Sequence, residues 1–389
     1  MPWSRMPGMR THWDIFCNVI DNYGDIGVAW RLARQLVAGC GQRVRLWVDD
    51  LAAFNRIWPA VDPRAAAQTL EGVDIRVWRV PFAHVEPAQV VVEAFGCALP
   101  EDYLAAMARR ASPPVWINLE YLSAESWVAD HHGLPSPHPR LPLTRYFFFP
   151  GYTTGTGGLA VEPDLATRRD AFLRDDAERF CADLGLAPAQ PGEWRISLFA
   201  YENEALPGLL DAWAGGADRV VCLVPEGRIV PQLERGFGGR PLTPGDVSER
   251  GRLQVRGLPF TDQDAYDRLL WACDLNFVRG EDSCVRAQWA ARPLVWQAYP
   301  QAEAAHHAKL EALLARYVAA LDPVSARAVA GMWRAWNGVP GAPAAGDAWG
   351  AWQAQRQAIE AHAHAWPGRL ADAGRLAEKL VEFAENRLK

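Results

Sequence analysis

Two short turns in this sequence gather the residue types that do chemistry. The first, Asp21-Asn22-Tyr23-Gly24-Asp25-Ile26-Gly27-Val28, lies between an apolar run and a helical pattern. Two carboxylates flanking Asn22-Tyr23-Gly24 in one strand-to-helix turn can hold a cation, and one of them can take its proton. A base so placed acts through geometry, desolvation and Coulomb attraction to a cationic acceptor. The same residues also admit a structural reading, with Asp25 capping the helix and Asp21 in an Asx turn.

The second turn is Arg279-Gly280-Glu281-Asp282-Ser283, after the apolar run that ends at Val278 and before a helix starting near Asp282 or Ser283. Free backbone N–H groups, a helix dipole, a Ser hydroxyl and an Arg together suit a diphosphate. Glu281 and Asp282 would repel phosphate, so at least one of them faces a sugar hydroxyl or serves as the cap. A capping box without ligand is the structural alternative. Leu258-Pro259-Phe260-Thr261-Asp262-Gln263 precedes a further amphipathic helix. There Phe260 is either a hydrophobic staple or a face for a base, with Gln263 reading an edge. Phe199-Ala200-Tyr201-Glu202-Asn203 ends a strand with alternating aromatics, which in isolation is ordinary core packing.

Other motifs fail on context. Gly155-Thr156-Gly157-Gly158-Leu159-Ala160 satisfies G-x-G-x-x-A, but Pro163 follows too soon for the helix a dinucleotide loop requires. His131-His132, His306-His307 and His362/His364 have no H-E-x-x-H or C-x-x-C companion, so no metal site is expected. Neither a phosphate-binding G-x-x-x-x-G-K-[ST] loop nor a G-x-S-x-G elbow occurs.

The elements that must position these turns form two alternating series. Apolar runs at 14–20, 43–48, 73–80, 90–95 and 115–119, with a helix through 28–37, predict a mostly parallel sheet with crossover helices. Residues 134–150 hold five prolines and read as irregular surface chain. After the linker-like Ala187-Pro188-Ala189-Gln190-Pro191-Gly192, runs at 194–201, 219–225, 253–258, 274–278 and 293–296 predict a second such sheet. A helix at 3.6 spacing from Leu370 is expected after Pro367. The division predicted is 1–186 and 193–361 as two α/β domains, with 368–389 as a helix crossing back onto the first. Open α/β folds place ligands at the carboxyl ends of their strands.

Length and composition bound the function. At 389 residues the chain is long enough for two domains, and its net charge of −6 argues against nucleic-acid binding driven by phosphate contacts. Seven cysteines without a C-x-x-C pair suit a reducing compartment. The start reads as an unstructured extension rather than a secretory signal, with Met6 and Met9 as further possible starts. No membrane span is found, so a cytoplasmic location is expected. The 18 tryptophans either fill cores or form a stacking site.

Taken together, D-I-F-C-N-V-I-D-N-Y-G-D-I-G-V-A-W-R-L-A-R-Q-L at 14–36, L-W-V-D-D at 46–50, F-A-Y-E-N at 199–203, L-P-F-T-D-Q-D-A-Y-D-R-L-L-W at 258–271 and the run from Phe277 to Ser283 with Tyr299-Pro300-Gln301 resemble one family. It is the elongation factor P arginine rhamnosyltransferases (EarP). The resemblance implies an α/β, GT-B glycosyltransferase with two Rossmann-like domains facing across a cleft, the N-terminal one binding the acceptor and the C-terminal one the nucleotide sugar. It implies inverting transfer of L-rhamnose from dTDP-β-L-rhamnose to an arginine of translation elongation factor P, activating that factor. No metal, other cofactor, nucleic acid or membrane is implied. By motif, Asp25 is the expected general base with Asp21 as its partner, in a turn completed by Asn22, Tyr23 and Gly24. Phe199, Tyr201, Phe260, Gln263, Arg279, Glu281, Asp282, Ser283 and Tyr299 match the family's donor pocket, Glu281 serving turnover as well as binding. A transferase with another acceptor and a nucleotide-sugar-binding protein without turnover are the alternatives.

Overall fold

The computed structural model describes residues 10–20, 23–82 and 84–388, and the chain divides into two compact units. The first unit contains β1 (His12–Cys17), α1 (Gly24–Ala38), β2 (Arg43–Val48), α2 (Leu51–Ile57), β3 (Ala67–Leu70), β4 (Val73–Val77), β5 (Val90–Ala94), α3 (Glu101–Ala108), β6 (Val115–Leu119), α4 (Trp127–His131), β7 (Pro135–Pro137) and β8 (Thr144–Phe148). Its sheet runs β3-β4-β2-β1-β5-β6-β8-β7, parallel except for the β3–β4 and β7–β8 pairs. Every residue of β5 and β6 is buried, as expected of central parallel strands covered on both faces.

Chain order reverses between β1 and β5: β2 pairs on one side of β1 and β5 on the other. Diverging crossovers leave a crevice at the carboxyl ends of such a strand pair. Phe16, Trp47, Tyr103 and Trp116 fill the core on one face of this sheet. Asp14 lies among them fully buried, and its charge is satisfied. Arg45 donates to it twice, at 2.6 and 2.7 Å, and Trp47 Nε1, the Ala88 N–H and the Tyr103 hydroxyl donate as well.

The second unit begins at Asp164 with α5 (Leu165–Asp175) and α6 (Ala177–Asp183). It continues with β9 (Glu193–Leu198), α7 (Leu206–Gly215), β10 (Arg219–Pro225), α8 (Val230–Gly236), β11 (Val247–Arg250), β12 (Leu253–Leu258), α9 (Gln263–Ala272), β13 (Leu275–Arg279), α10 (Asp282–Trp289) and β14 (Leu294–Gln297). Four helices close it: α11 (His306–Val318), α12 (Pro323–Trp336), α13 (Ala345–Ala354) and α14 (Arg356–Leu370). The sheet order is β11-β12-β10-β9-β13-β14, and the switch falls between β9 and β13. The last helix, α15 (Leu376–Leu388), belongs to the first unit, where Phe383 meets Phe148 at 5.4 Å and Lys379 Nζ donates to the Thr154 and Thr156 carbonyls.

Five features differ from those expected. The first unit's leading segment ends at Pro163 rather than near 186, because α5 and α6 pack on the second sheet. Phe172 lies 5.6 Å from Trp271, and Cys181 and Leu186 join Val221, Leu223 and Leu269 in one core. At its other end the second unit extends to Ala371 rather than 361, and Pro367 lies inside α14, so the terminal helix starts at Leu376. Residues 134–150 are not wholly irregular: β7 and β8 form there, with two of the prolines on an edge strand where a missing N–H costs nothing. Finally, β1 stops at Cys17, so 18–20 belong to the turn and Ile20 is 73 % exposed.

Candidate active site

Each of the two switch points carries one of the turns singled out by sequence. In the first unit, the chain leaves β1 at Cys17 and enters α1 at Gly24. The Val19 N–H donates to Asp49 Oδ1 at 2.9 Å and the Ile20 N–H to Asp25 Oδ2 at 3.1 Å, which folds the turn back over the first turn of the helix. Asp25 is only 2 % exposed, and its other oxygen accepts from the Tyr121 hydroxyl at 3.3 Å. Helix capping does not explain Asp25: the N-cap is Tyr23, which makes no side-chain cap bond, and Asp25 lies inside the first turn. A buried carboxylate therefore faces the positive end of α1 at the crevice between β1 and β5. Burial, and then the nearby Asp25 charge, push the Cys17 thiol well above its usual range, so it stays protonated beside this carboxylate. Tyr23 is half-buried and Gly24 exposed, whereas Asp21 and Asn22 lie outside the described residues.

The second unit's switch point gathers residues from β9, β13 and the loops after them. Phe199 and Tyr201 follow β9, and Arg279 ends β13. The Arg279 guanidinium carbon lies 4.5 Å from each of their ring centroids, so the cation is held between two aromatic faces. Its Nε is buried with no hydrogen-bond partner among the described residues, an arrangement that leaves the guanidinium a donor to offer. Tyr299, 49 % exposed, meets Tyr201 edge-on at 5.4 Å. Gly280 takes φ +66°, a left-handed conformation that turns the chain from β13 into α10, and its carbonyl accepts from Trp296 Nε1 at 2.8 Å.

The N-cap of α10 is Glu281, without a side-chain cap bond, and Asp282 and Ser283 open the helix. A capping box is therefore not what these residues form. The Ser283 hydroxyl donates to the Arg279 carbonyl, so its proton serves the turn, and the backbone N–H groups of α10 carry the anion-binding potential. On the adjoining α9, Asp262 is the true cap, accepting from the Ala265 N–H at 2.7 Å, with Gln263 buried and Phe260 half-buried just before it.

Three groups in these surroundings escape a sequence reading. Tyr121 contacts Asp25 across 96 residues of chain, and no local pattern marks it. Tyr266 packs against Phe199 at 5.5 Å, and burial pushes its hydroxyl well above the usual tyrosine range. Asp267 on α9 and Arg286 on α10 form a bidentate pair at 3.0 and 2.6 Å, 2 % and 1 % exposed, one helical turn behind the residues that face the switch point. The helical spacing that places both inward was present in the sequence; their pairing was not.

Two of the histidines have structural places: His132 accepts the Phe149 N–H, and His362 packs against Tyr317 and Trp366. Among the described residues, no group of three or more His, Cys, Asp or Glu is arranged to hold a metal ion, and no helix is long and apolar enough to cross a membrane. Two cavities of about 380 and 320 Å³ lie away from both turns, one beside Tyr103 and Arg110, the other beside Asp211 and Arg250.

Residues 13–385 match the family model described as elongation factor P (EF-P) rhamnosyltransferase EarP. The chain is 51 % identical over 385 residues to a protein-arginine rhamnosyltransferase of Pseudomonas putida, covering 98 % of this chain and 100 % of that one. It is 41 % identical over 402 residues to the enzyme of the same name from Shewanella oneidensis, covering 96 % and 98 %. Among solved structures, one that describes EarP-mediated arginine glycosylation of translation elongation factor EF-P superposes with a TM-score of 0.69 at 39 % identity, covering 97 % of this chain and 99 % of the other. A glycosyltransferase from Rickettsia africae shares the fold alone, with a TM-score of 0.52 at 10 % identity, covering 98 % and 99 %. The two doubly wound units are thus of the GT-B glycosyltransferase class.

Proposed function

Because the chain belongs to the EarP family of protein-arginine rhamnosyltransferases, we propose that it transfers L-rhamnose from dTDP-β-L-rhamnose to one arginine of translation elongation factor P, activating that factor, with inversion at the anomeric carbon and without a metal ion. The observation that carries the acceptor half is the buried Asp25 carboxylate at the first unit's switch point. A guanidinium is protonated at neutral pH and its lone pairs are delocalised, so it is a poor nucleophile. Carboxylates beside it counter both problems by localising electron density on one nitrogen and accepting its proton. Asp25 takes that role, with Asp21 as the second acid of the same turn.

Bond by bond, the guanidinium nitrogen attacks the anomeric carbon from the face opposite the leaving group. The bond from that carbon to the diphosphate oxygen breaks with its electron pair, and the nitrogen's proton passes to Asp25. The departing diphosphate gains charge, and the second unit has the means to receive it: Arg279, held between two rings, and the N–H groups at the start of α10. Phe260 and Gln263 suit the base, by stacking and by reading its edge. Tyr299, Asp282 and Ser283 complete the donor side. Glu281, whose carboxylate would repel phosphate, suits a sugar hydroxyl and contributes to turnover.

The deciding experiment is intact-protein mass spectrometry of elongation factor P after incubation with the enzyme and dTDP-rhamnose. The expected result is a gain of one deoxyhexosyl group on an arginine. An unchanged mass, with dTDP-rhamnose bound but not consumed, would overturn the assignment in favour of a binding protein. Consumption of the donor without modification of the factor would point to another acceptor.

A further inference from the structure

Beside Asp25 lies a loop whose backbone is held in conformations that its residues rarely adopt. At the end of β5, Phe95, Gly96 and Ala98 take φ values of +58°, +67° and +53°. Only one of the three is a glycine, and such a conformation persists where the surroundings over-determine it. They do so here. The Phe95 N–H donates to the Leu119 carbonyl at 2.8 Å, the Gly96 N–H to Asn118 Oδ1 at 3.2 Å and the Ala98 N–H to Glu93 Oε1 at 3.2 Å.

The conformation sets the Phe95 ring parallel to the ring of Tyr121, which follows the neighbouring strand β6. Their centroids are 4.7 Å apart and the planes differ by 19°. Tyr121 is 39 % exposed, while its hydroxyl reaches inward to Asp25 Oδ1. One side chain thus combines a fixed aromatic face open to solvent with a hydrogen bond to the buried carboxylate.

We infer that Tyr121, backed by Phe95, is a positioning residue for the acceptor: its hydroxyl aims one oxygen of Asp25, and its exposed ring face receives the planar guanidinium of the arginine to be modified. A guanidinium stacks on an aromatic face far better than a compact, strongly hydrated ammonium does, so this face also favours arginine over lysine. The inference rests on the acceptor reading given above, and the test separates the two.

Steady-state rates with elongation factor P at saturating dTDP-rhamnose are compared for wild type, Tyr121→Phe and Tyr121→Ala, with donor affinity measured by calorimetry. Tyr121→Phe keeps the ring and loses the aim, so kcat should fall about tenfold while acceptor KM stays within about twofold. Tyr121→Ala also loses the face, so acceptor KM should rise by a further factor of about 2 to 30. Donor affinity should be unchanged in both, which also shows that the variants are folded. Wild-type kcat and KM in both variants would overturn the inference, as would parallel losses of kcat, acceptor KM and donor affinity, the signature of a merely structural role. If Tyr121→Ala does not fold, the KM-against-kcat split of Tyr121→Phe decides alone. A wild-type enzyme that leaves the factor unmodified overturns the acceptor reading itself, whereas an active wild type beside unaffected variants overturns only the role of Tyr121.

Discussion

The Asp267–Arg286 pair offers a quantitative test of how the second unit holds its candidate donor site. Both side chains are almost completely buried, and the guanidinium meets the carboxylate through two nitrogens at 3.0 and 2.6 Å. Asp267 follows Gln263 by four residues on α9, and Arg286 follows Ser283 by three on α10, so the pair lies about 6 Å along α9 and about 4.5 Å along α10 from their working ends. Removing one partner leaves the other charge buried and uncompensated, a loss of about 3–5 kcal/mol. In a unit running from Asp164 to Ala371, each kcal/mol moves Tm by about 2–4 °C. Asp267→Leu or Arg286→Met should therefore lower the melting temperature of this unit by about 6–20 °C, and dTDP should bind more weakly as the two helix starts lose their fixed spacing. The double variant, which removes both charges, should recover most of the loss, because the desolvation of both ions disappears with their attraction. Scanning calorimetry of the four proteins, with dTDP titrations well below the lowest Tm, measures all of this. Single variants that melt within about 2 °C of wild type, or a double variant worse than either single one, would refute the reasoning.

Asp25→Asn should retain dTDP-rhamnose binding and abolish transfer to elongation factor P; transfer near the wild-type rate would remove Asp25 as the base. Arg279→Ala should weaken dTDP by about 10- to 150-fold, the loss of a charge-assisted hydrogen bond worth about 1.5–3 kcal/mol, and unchanged affinity by calorimetry would take Arg279 out of the pocket. Phe260→Ala should cost about 1–3 kcal/mol of dTDP affinity if the ring stacks on thymine, and an unaffected Kd would leave it a helix staple. His132 is held neutral by burial, then by Lys379, its pKa lowered from 6.5 to about 4. Because the unfolded chain binds the proton first, stability should be fully present above about pH 6.5 and decline as the pH falls toward 4. Tm measured against pH should fall less steeply for His132→Gln across that window, and an identical slope would exclude His132 as a contributor.

Much of the frame was readable from residue pattern alone. Central strands β5, β6 and β10 fall on the apolar runs that predict them, because strands buried on both faces are near-continuous in hydrophobicity, whereas β2 (R-V-R-L-W-V) and β12 (L-Q-V-R-G-L) are legible from polar residues alternating with buried apolar ones. Among the edge strands, buried β14 was legible too, at 293–296, whereas the other three were not. The strands β3, β7 and β11 are short, half-exposed and polar, and they exist only because a neighbouring strand offers hydrogen bonds. Tryptophans such as Trp30, Trp47, Trp271 and Trp296 are buried, in keeping with packing rather than stacking on a ligand. The helices α5 and α6 precede the linker yet join the unit after it, since Phe172 and Cys181 find their apolar partners there.

What the sequence by itself determined is the chemistry of the turns: the carboxylates at 21 and 25, the Arg-Gly-Glu-Asp-Ser run, and the strand-to-helix setting of each. Local spacing sets these, because caps, turns and helix starts are decided within a few residues. The tertiary structure alone decided that each turn stands at its own sheet's switch point, since strand order is a matter of long-range pairing. It also decided that Asp25 is gripped by Tyr121 rather than spent as a cap, that Arg279 lies between Phe199 and Tyr201, and that Asp267 answers Arg286. Each of these is a contact between segments distant in the chain, where residue type permits an interaction and only the packing of the fold selects it.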